Sequence, residues 1–229
     1  MRKTLSESMQ EGDFVLLDFV GRVKESGEIF DLTLEDVAKK ENVYDAKISY
    51  KPVTVIVGAG LMLKGLEEAV TGMSVGEKKK LEIPPAKAFG ERKAELIRLI
   101  PLLTFKERDV DPTPGSYVTI NNLNGRVASV DGGRVKVDFN HPLAGKTLEY
   151  ELELKKKIED QTEKIKSVTN YFVPADWEKI EVTINGSEAE ISFQEKIDVP
   201  VKTKSNNAIT ITKWVGGIEK VKFVDVYSK

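Results

Sequence analysis

The sequence predicts an α+β protein: an antiparallel half-barrel sheet wrapped on one short helix, interrupted by a small β-rich insertion and followed by a C-terminal α+β domain. Three observations predict it. In residues 50–90, a β-like run at 53–57, a glycine turn from Gly58 to Gly60, a short helix at 62–70 and a second strand at 78–83 follow one another. Beyond Gly90 the pattern changes to short strands joined by turn residues. Beyond Leu154, helical spacing of Ile165, Val168 and Phe172 precedes strand runs that flank Asn185-Gly186, a strong hairpin signal.

In chain order, residues 13–23 alternate as a strand, and Ser26-Gly27 turns into Ile29-Phe30-Asp31. A short helix at 34–40 and a loop follow, which either rim a pocket or form a surface excursion. On the next helix Met62, Leu63, Leu66, Ala69 and Val70 share a face, and Gly72 ends it. Pro84-Pro85 leads to the loop tip Ala88-Phe89-Gly90.

Residues 91–98 are charged and helix-compatible, and 96–103 (LIRLIPLL) form an apolar run interrupted by Pro101. Strands are predicted at 117–121, 126–130 and 134–137, with turns at Leu123-Asn124-Gly125 and Asp131-Gly132-Gly133. After Lys155-Lys156-Lys157 a helix at 160–172 stops before Pro174, and strands are predicted at 177–184, 189–193, 208–212 and 221–226. These patterns bound a separate β-rich domain at 91–137 and an independent C-terminal domain at 158–229; that 138–157 returns to the sheet-and-helix domain of 1–90, which makes 91–137 an insertion, is what the resemblance described below implies.

Composition narrows the function. The chain has 229 residues, 40% of them hydrophobic, which permits about two or three small cores. Its 35 basic and 37 acidic residues leave a net charge of -2 without a basic stripe, so nucleic acid is not an expected partner. Cysteine is absent, which excludes disulfides and thiolate chemistry. One histidine, His141, makes no metal site by itself; no metal or cofactor is expected, and its role is packing or hydrogen bonding. The first ten residues carry no apolar signal-like core, and no 18-residue apolar run occurs, so a soluble cytoplasmic protein without membrane contact is expected.

The string VGAGLMLKGLEEAVTGMSVGEKKKLEIPPAKAFG, from Val57 to Gly90, resembles the core of FKBP-type peptidyl-prolyl cis/trans isomerases. The helix opening LKGLEEA, the turn MSVGEKK and the final aromatic-glycine all match in spacing. A second string, FNHPLAGKTLEYELEL from Phe139 to Leu154, resembles that domain's last strand. The gap between the two is similar to the SlyD-like members, which carry an inserted IF domain, and the whole chain resembles the long-type archaeal FKBPs with an extra C-terminal domain.

The resemblance implies a substrate pocket at Phe19, Phe30, Asp31, Val53, Met62, Leu63, Leu66, Phe89 and Tyr150. Phe19, Phe30 and Tyr150 would be aromatic walls, Leu66 the floor, and the Leu63 N–H the donor to a ligand carbonyl. Asp31 either polarises the twisted amide or holds a pocket side chain; with Phe30 and Phe89 it forms the implied catalytic set. Many relatives carry tryptophan where this chain has Leu66 and tyrosine where it has Phe89, which puts turnover and macrolide affinity in question. Read from the residues alone, aromatic and aliphatic side chains on alternating strands also fit a plain core, and Asp31 at a strand end also fits a turn cap.

Isomerisation suits such a pocket. Rotation about an Xaa-Pro bond is slowed by amide resonance, with a barrier of about 18–20 kcal/mol, and needs no nucleophile, metal or general base. It needs a dry apolar pocket and groups that favour the twisted carbonyl over the planar one. The resemblance further implies that the insertion binds unfolded polypeptide, through a surface at Leu96, Ile97, Leu99, Ile100 and Leu102. Expected partners are unfolded chains with Xaa-Pro bonds, macrolide ligands, and a second copy of the chain through the C-terminal domain. A holdase chaperone without turnover and a partner-binding assembly module are the alternatives.

Overall fold

The computed structural model describes residues 8–225. They group into two compact units, one formed by residues 8–22, 29–81 and 150–225, the other by Val23–Glu28 and Glu82–Glu149. The insertion was expected at 91–137; the compact second group runs from Glu82 to Glu149 and takes in the turn after the first strand.

The first unit is organised by β1 (Phe14–Val23), almost wholly buried on both faces. Such a strand belongs in the middle of a sheet, and β2 (Ile29–Leu32) pairs antiparallel with its end, Val20 opposite Leu32 and Gly21 opposite Asp31. After α1 (Glu35–Lys40), β3 (Val53–Ile56) pairs antiparallel with its beginning, Phe14 opposite Ile56 and Leu17 opposite Val53. The helix expected from Met62 is α2 (Lys64–Val70), with Gly65, Leu66, Ala69 and Val70 buried. It begins two residues late because Leu63 is extended, at φ -58° and ψ 136°. β4 (Lys78–Ile83) follows as predicted.

The second unit holds β5 (Ile97–Pro101), α3 (Leu102–Lys106), β6 (Tyr117–Ile120), β7 (Leu123–Asp131) and β8 (Arg134–Asp138). The strands form a sheet in the order β5-β8-β7-β6 over a core of Phe105, Val118, Val127, Val135 and Val137. Two expectations are corrected here. Residues 91–98 do not form an α-helix, because β5 takes Ile97 and Arg98 into register with Asp138 and Val137 of β8. Leu123-Asn124-Gly125 is not a turn but the start of β7; the chain reverses one step earlier, at Asn121 and Asn122, with φ 49° and 64°. Asparagine tolerates positive φ, as a tight hairpin turn requires at both central positions. Gly125 has a packing role instead: a Cβ there would lie 2.6 Å from Val137 Cγ1 and 2.8 Å from Phe139 Cδ1.

The chain then returns through β9 (Leu148–Ile158), which lies between β1 and β4 and completes the five-stranded sheet. Beyond it come α4 (Gln161–Phe172), β10 (Ile180–Asn185), β11 (Glu188–Phe193), α5 (Val201–Trp214) and β12 (Lys220–Val224). The Asp160 carboxylate caps α4 by accepting from Glu163 N–H at 2.7 Å. β10 and β11 form the hairpin predicted at Asn185-Gly186, and β12 runs parallel to β11. The strand expected at 208–212 lies inside α5. A parallel pair needs a crossover, and helical spacing buries Asn207 and Ile211 while exposing Ile209, so packing overrides the β-branched composition. Val226, the last residue of the strand expected at 221–226, lies outside the described residues.

The apolar cluster of the C-terminal segment, with Ile165, Val168, Ile180, Ile191 and Ile211, also contains Phe14 and Ile56. Segment 158–225 therefore shares a core with β1 and β3, although the sequence predicts it as independent. Among the described residues, no helix is long and apolar enough to cross a membrane.

Gly125→Ala tests the packing of the second unit. The added Cβ has no room between Val137 and Phe139, so the variant should lose about 1–3 kcal/mol in denaturant unfolding. Unchanged stability would mean that the close approach is not maintained.

Candidate functional site

The alternation of β1 sends Val15, Leu17, Phe19 and Gly21 to one face of the sheet. Three aromatic rings gather around Gly21. Phe19 and Tyr150 are 5.8 Å apart between ring centroids, and Phe30 meets Tyr150 edge-to-face at 5.7 Å. Glycine is what allows this approach, since a Cβ at residue 21 would lie 2.9 Å from both Phe30 Cζ and Tyr150 Cε1. Phe19 and Tyr150 are buried; Phe30 is half-buried. The structure thus brings together the three residues read as aromatic walls.

Asp31, opposite Gly21 in the β1–β2 register, follows Phe30. Burial raises its carboxyl pKa, and the Leu32 backbone N–H opposes the rise without cancelling it. Its outer edge remains open to solvent. The Tyr150 phenol titrates well above its ordinary value, first because it is buried and second because the Asp31 charge faces it. The end of β2 is clamped to β1 by Thr33, a buried residue that sequence reasoning missed. Its Oγ1 accepts from Phe19 N–H at 2.9 Å and donates to Asp18 Oδ1 at 2.8 Å, and its own N–H donates to the Phe19 carbonyl at 3.0 Å. A threonine two residues after Asp31 was the only signal for it.

From the helix, Leu66 is buried, and Met62 and Leu63 are half-buried in the segment leading into α2. No described residue accepts a hydrogen bond from the Leu63 N–H. Val53 lies at the start of β3, 39% exposed, and lines a cleft of about 880 Å³ with Pro52, Thr54, Tyr171 and Trp177. A smaller cavity of about 500 Å³, lined by Asp18, Val20, Arg22 and Val37, opens on the sheet face opposite Phe19.

The remaining predicted residues belong to the second unit. Phe89 stacks flat on His141, with centroids 4.3 Å apart and planes 4° from parallel. His141 Nδ1 accepts from the Leu143 N–H at 3.1 Å, so this histidine combines the packing and hydrogen-bonding roles expected of it. Of the five residues read as a polypeptide-binding surface, Leu99 is the most open, at 63% exposed. Ile100 and Leu102 pack against the Phe105 core, and Leu96 and Ile97 are half-buried.

The geometry thus sets an aromatic cluster of Phe19, Phe30 and Tyr150 beside the partly buried carboxyl of Asp31. Comparison with known proteins makes the class specific. Residues 98–143 match the family model described as FKBP26, IF domain. A short-type peptidyl-prolyl cis-trans isomerase of Methanocaldococcus jannaschii is 37% identical over 147 residues, 64% of this chain and 92% of that relative. A probable FKBP-type 16 kDa peptidyl-prolyl cis-trans isomerase of Pseudomonas fluorescens is 36% identical over 135 residues, covering 56% and 89%. The SlyD isomerase of Aeromonas hydrophila is 32% identical over 130 residues, covering 54% and 60%. The chain belongs to the FKBP-type peptidyl-prolyl cis/trans isomerase family.

Because burial raises the Asp31 pKa, folding disfavours its charged form. That cost is present when the carboxylate is ionised at neutral pH and is relieved as pH falls through the raised folded value. Asp31→Asn should therefore melt no lower than the parent at neutral pH, and any advantage should shrink toward about pH 3. A variant that is clearly less stable at neutral pH would show that the carboxylate contributes structurally.

Proposed function

We propose that this chain isomerises Xaa-Pro bonds in unfolded polypeptides, taking the proline ring against Phe19, Phe30 and Tyr150, with Asp31 beside the reacting amide. The observation that carries this reading is the aromatic cluster of Phe19, Phe30 and Tyr150, whose rings close over Gly21 at a distance that a side chain there would not allow. An apolar recess favours the twisted amide because twisting localises the nitrogen lone pair and weakens the carbonyl's demand for solvent. The raised Asp31 pKa, together with its place beside Phe30, supports this reading, because perturbed carboxyls concentrate at functional sites. Leu63 offers a backbone donor at the mouth of the helix.

In this reading the second unit is a chaperone module that captures unfolded segments. Leu99, Leu103, Tyr117 and Leu123, all well exposed, are the apolar groups available for it. A second copy of the chain is the expected partner of the C-terminal segment, where Val201 and Ile209 stand exposed on α5.

Asp31→Ala and Phe30→Ala should each lower kcat/KM for short Xaa-Pro peptides by about tenfold or more, roughly 1.4 kcal/mol of transition-state stabilisation. Unchanged turnover in a folded Asp31→Ala protein would return that residue to a capping role.

Replacing residues 91–137 with a short loop separates the two activities. A tetrapeptide is too small to use a second site, so its isomerisation should stay within a few-fold. Catalysis of proline-limited refolding of a whole protein should fall by about one to two orders of magnitude, the effective-concentration gain of a tethered site. Equal losses on both substrates would remove the tethering idea.

A further inference from the structure

The segment that presents the Leu63 N–H is held from an unexpected quarter. Upstream, Ala59 N–H donates to the Ile56 carbonyl at 3.2 Å, and Gly60 N–H donates to Glu67 Oε1 at 2.6 Å. Downstream, the Leu66 and Glu67 N–H groups donate to the Leu63 carbonyl at 2.9 and 3.1 Å. Between these anchors lies the Leu61 carbonyl, and its partner is the phenol of Tyr171 on α4, donating at 3.2 Å across 110 residues of sequence. Apolar packing follows the same line: Ala59 and Leu61 rest against the apolar cluster of the C-terminal segment.

We propose that Tyr171 is a positioning residue of the isomerase site, its phenol fixing the Leu61 carbonyl and with it the peptide that aims the Leu63 N–H at the substrate carbonyl. The proposal rests on the isomerase reading above. The Leu61 carbonyl shares one rigid peptide plane with the Met62 nitrogen, so holding the oxygen fixes the plane from which the chain proceeds to Leu63. Restraint is needed at this point because Gly60, at φ 71°, lets the preceding chain swing at little cost. The Tyr171 ring is set edge-to-face on Phe172 at 5.0 Å, which holds the hydroxyl in place. The side chain is 55% exposed, so its hydroxyl is not part of the buried core, and an effect on catalysis is separable from an effect on folding.

The test is Tyr171→Phe in the full chain, which removes one oxygen and keeps the ring. kcat/KM for an Xaa-Pro tetrapeptide should fall about two- to tenfold, the range expected for one hydrogen bond. The loss should appear in KM, since the Leu63 donor serves the planar and twisted amide alike. In the ¹H–¹⁵N spectrum the Met62 and Leu63 amide signals should move while the melting temperature stays that of the parent. Unmoved amide signals with parental kinetics would overturn the proposal. So would an activity loss matched by an equal loss of stability. A parent chain inert toward the tetrapeptide would overturn the isomerase reading itself, while the amide signals would still report whether Tyr171 holds the loop.

Discussion

The constraint on which this fold depends is that one strand, β1, serves two faces at once. Successive side chains of a strand point to opposite sides of the sheet. Phe19 and Gly21 accordingly face the aromatic cluster, while Phe14 and Leu16 join the apolar cluster of the C-terminal segment. Neither side can be re-registered alone, because a one-residue slip would exchange every side chain between the aromatic cluster and the C-terminal core. The Thr33 clamp and the pairing of Gly21 with Asp31 keep β2 in step with this register.

Much of the electrostatic character of the site follows from the same arrangement. Partial burial beside the aromatic cluster disfavours the charged form of the Asp31 carboxyl. The neighbouring Tyr150 phenol is driven the same way, kept neutral by burial and by the charge beside it. A buried phenol and a partly buried carboxyl thus form a polar edge on the aromatic cluster.

The elements that reveal themselves in the sequence are those whose local and tertiary demands agree. β1, β4 and the Asn185-Gly186 hairpin combine periodicity with turn chemistry, and the structure has them where the pattern predicts, with α2 starting two residues late. α5 is the opposite case. Its Ala208-Ile209-Thr210-Ile211-Thr212 run has strand composition, yet the parallel β11–β12 pair needs a crossover helix, and parallel pairing is invisible to a local window. The turn before β7 falls outside its predicted place because glycine at 125 reads as a turn, whereas it is there to let Val137 and Phe139 close in. In the site, Phe19, Phe30 and Tyr150 were legible through motif spacing. Gly21, Thr33 and Tyr171 were not: each acts through a partner far away in the chain, and nothing in its immediate neighbours announces that partner.

The topology of the central sheet also sets an order of events during synthesis. β1 emerges near the start of the chain, but β9, its neighbour on the way to β4, comes only after the whole of β5 to β8 has been made. Contacts of such sequence separation form late, because the loop must close before they are rewarded. Most of the second unit, by contrast, is continuous from Glu82 to Glu149, and its core of Phe105, Val118, Val127, Val135 and Val137 is complete before β9 is made. On the ribosome, β1 therefore waits with an unpaired edge, the state most prone to wrong partners. The isomerase passes its own infancy as an incomplete sheet, beside a second core already complete in the same polypeptide.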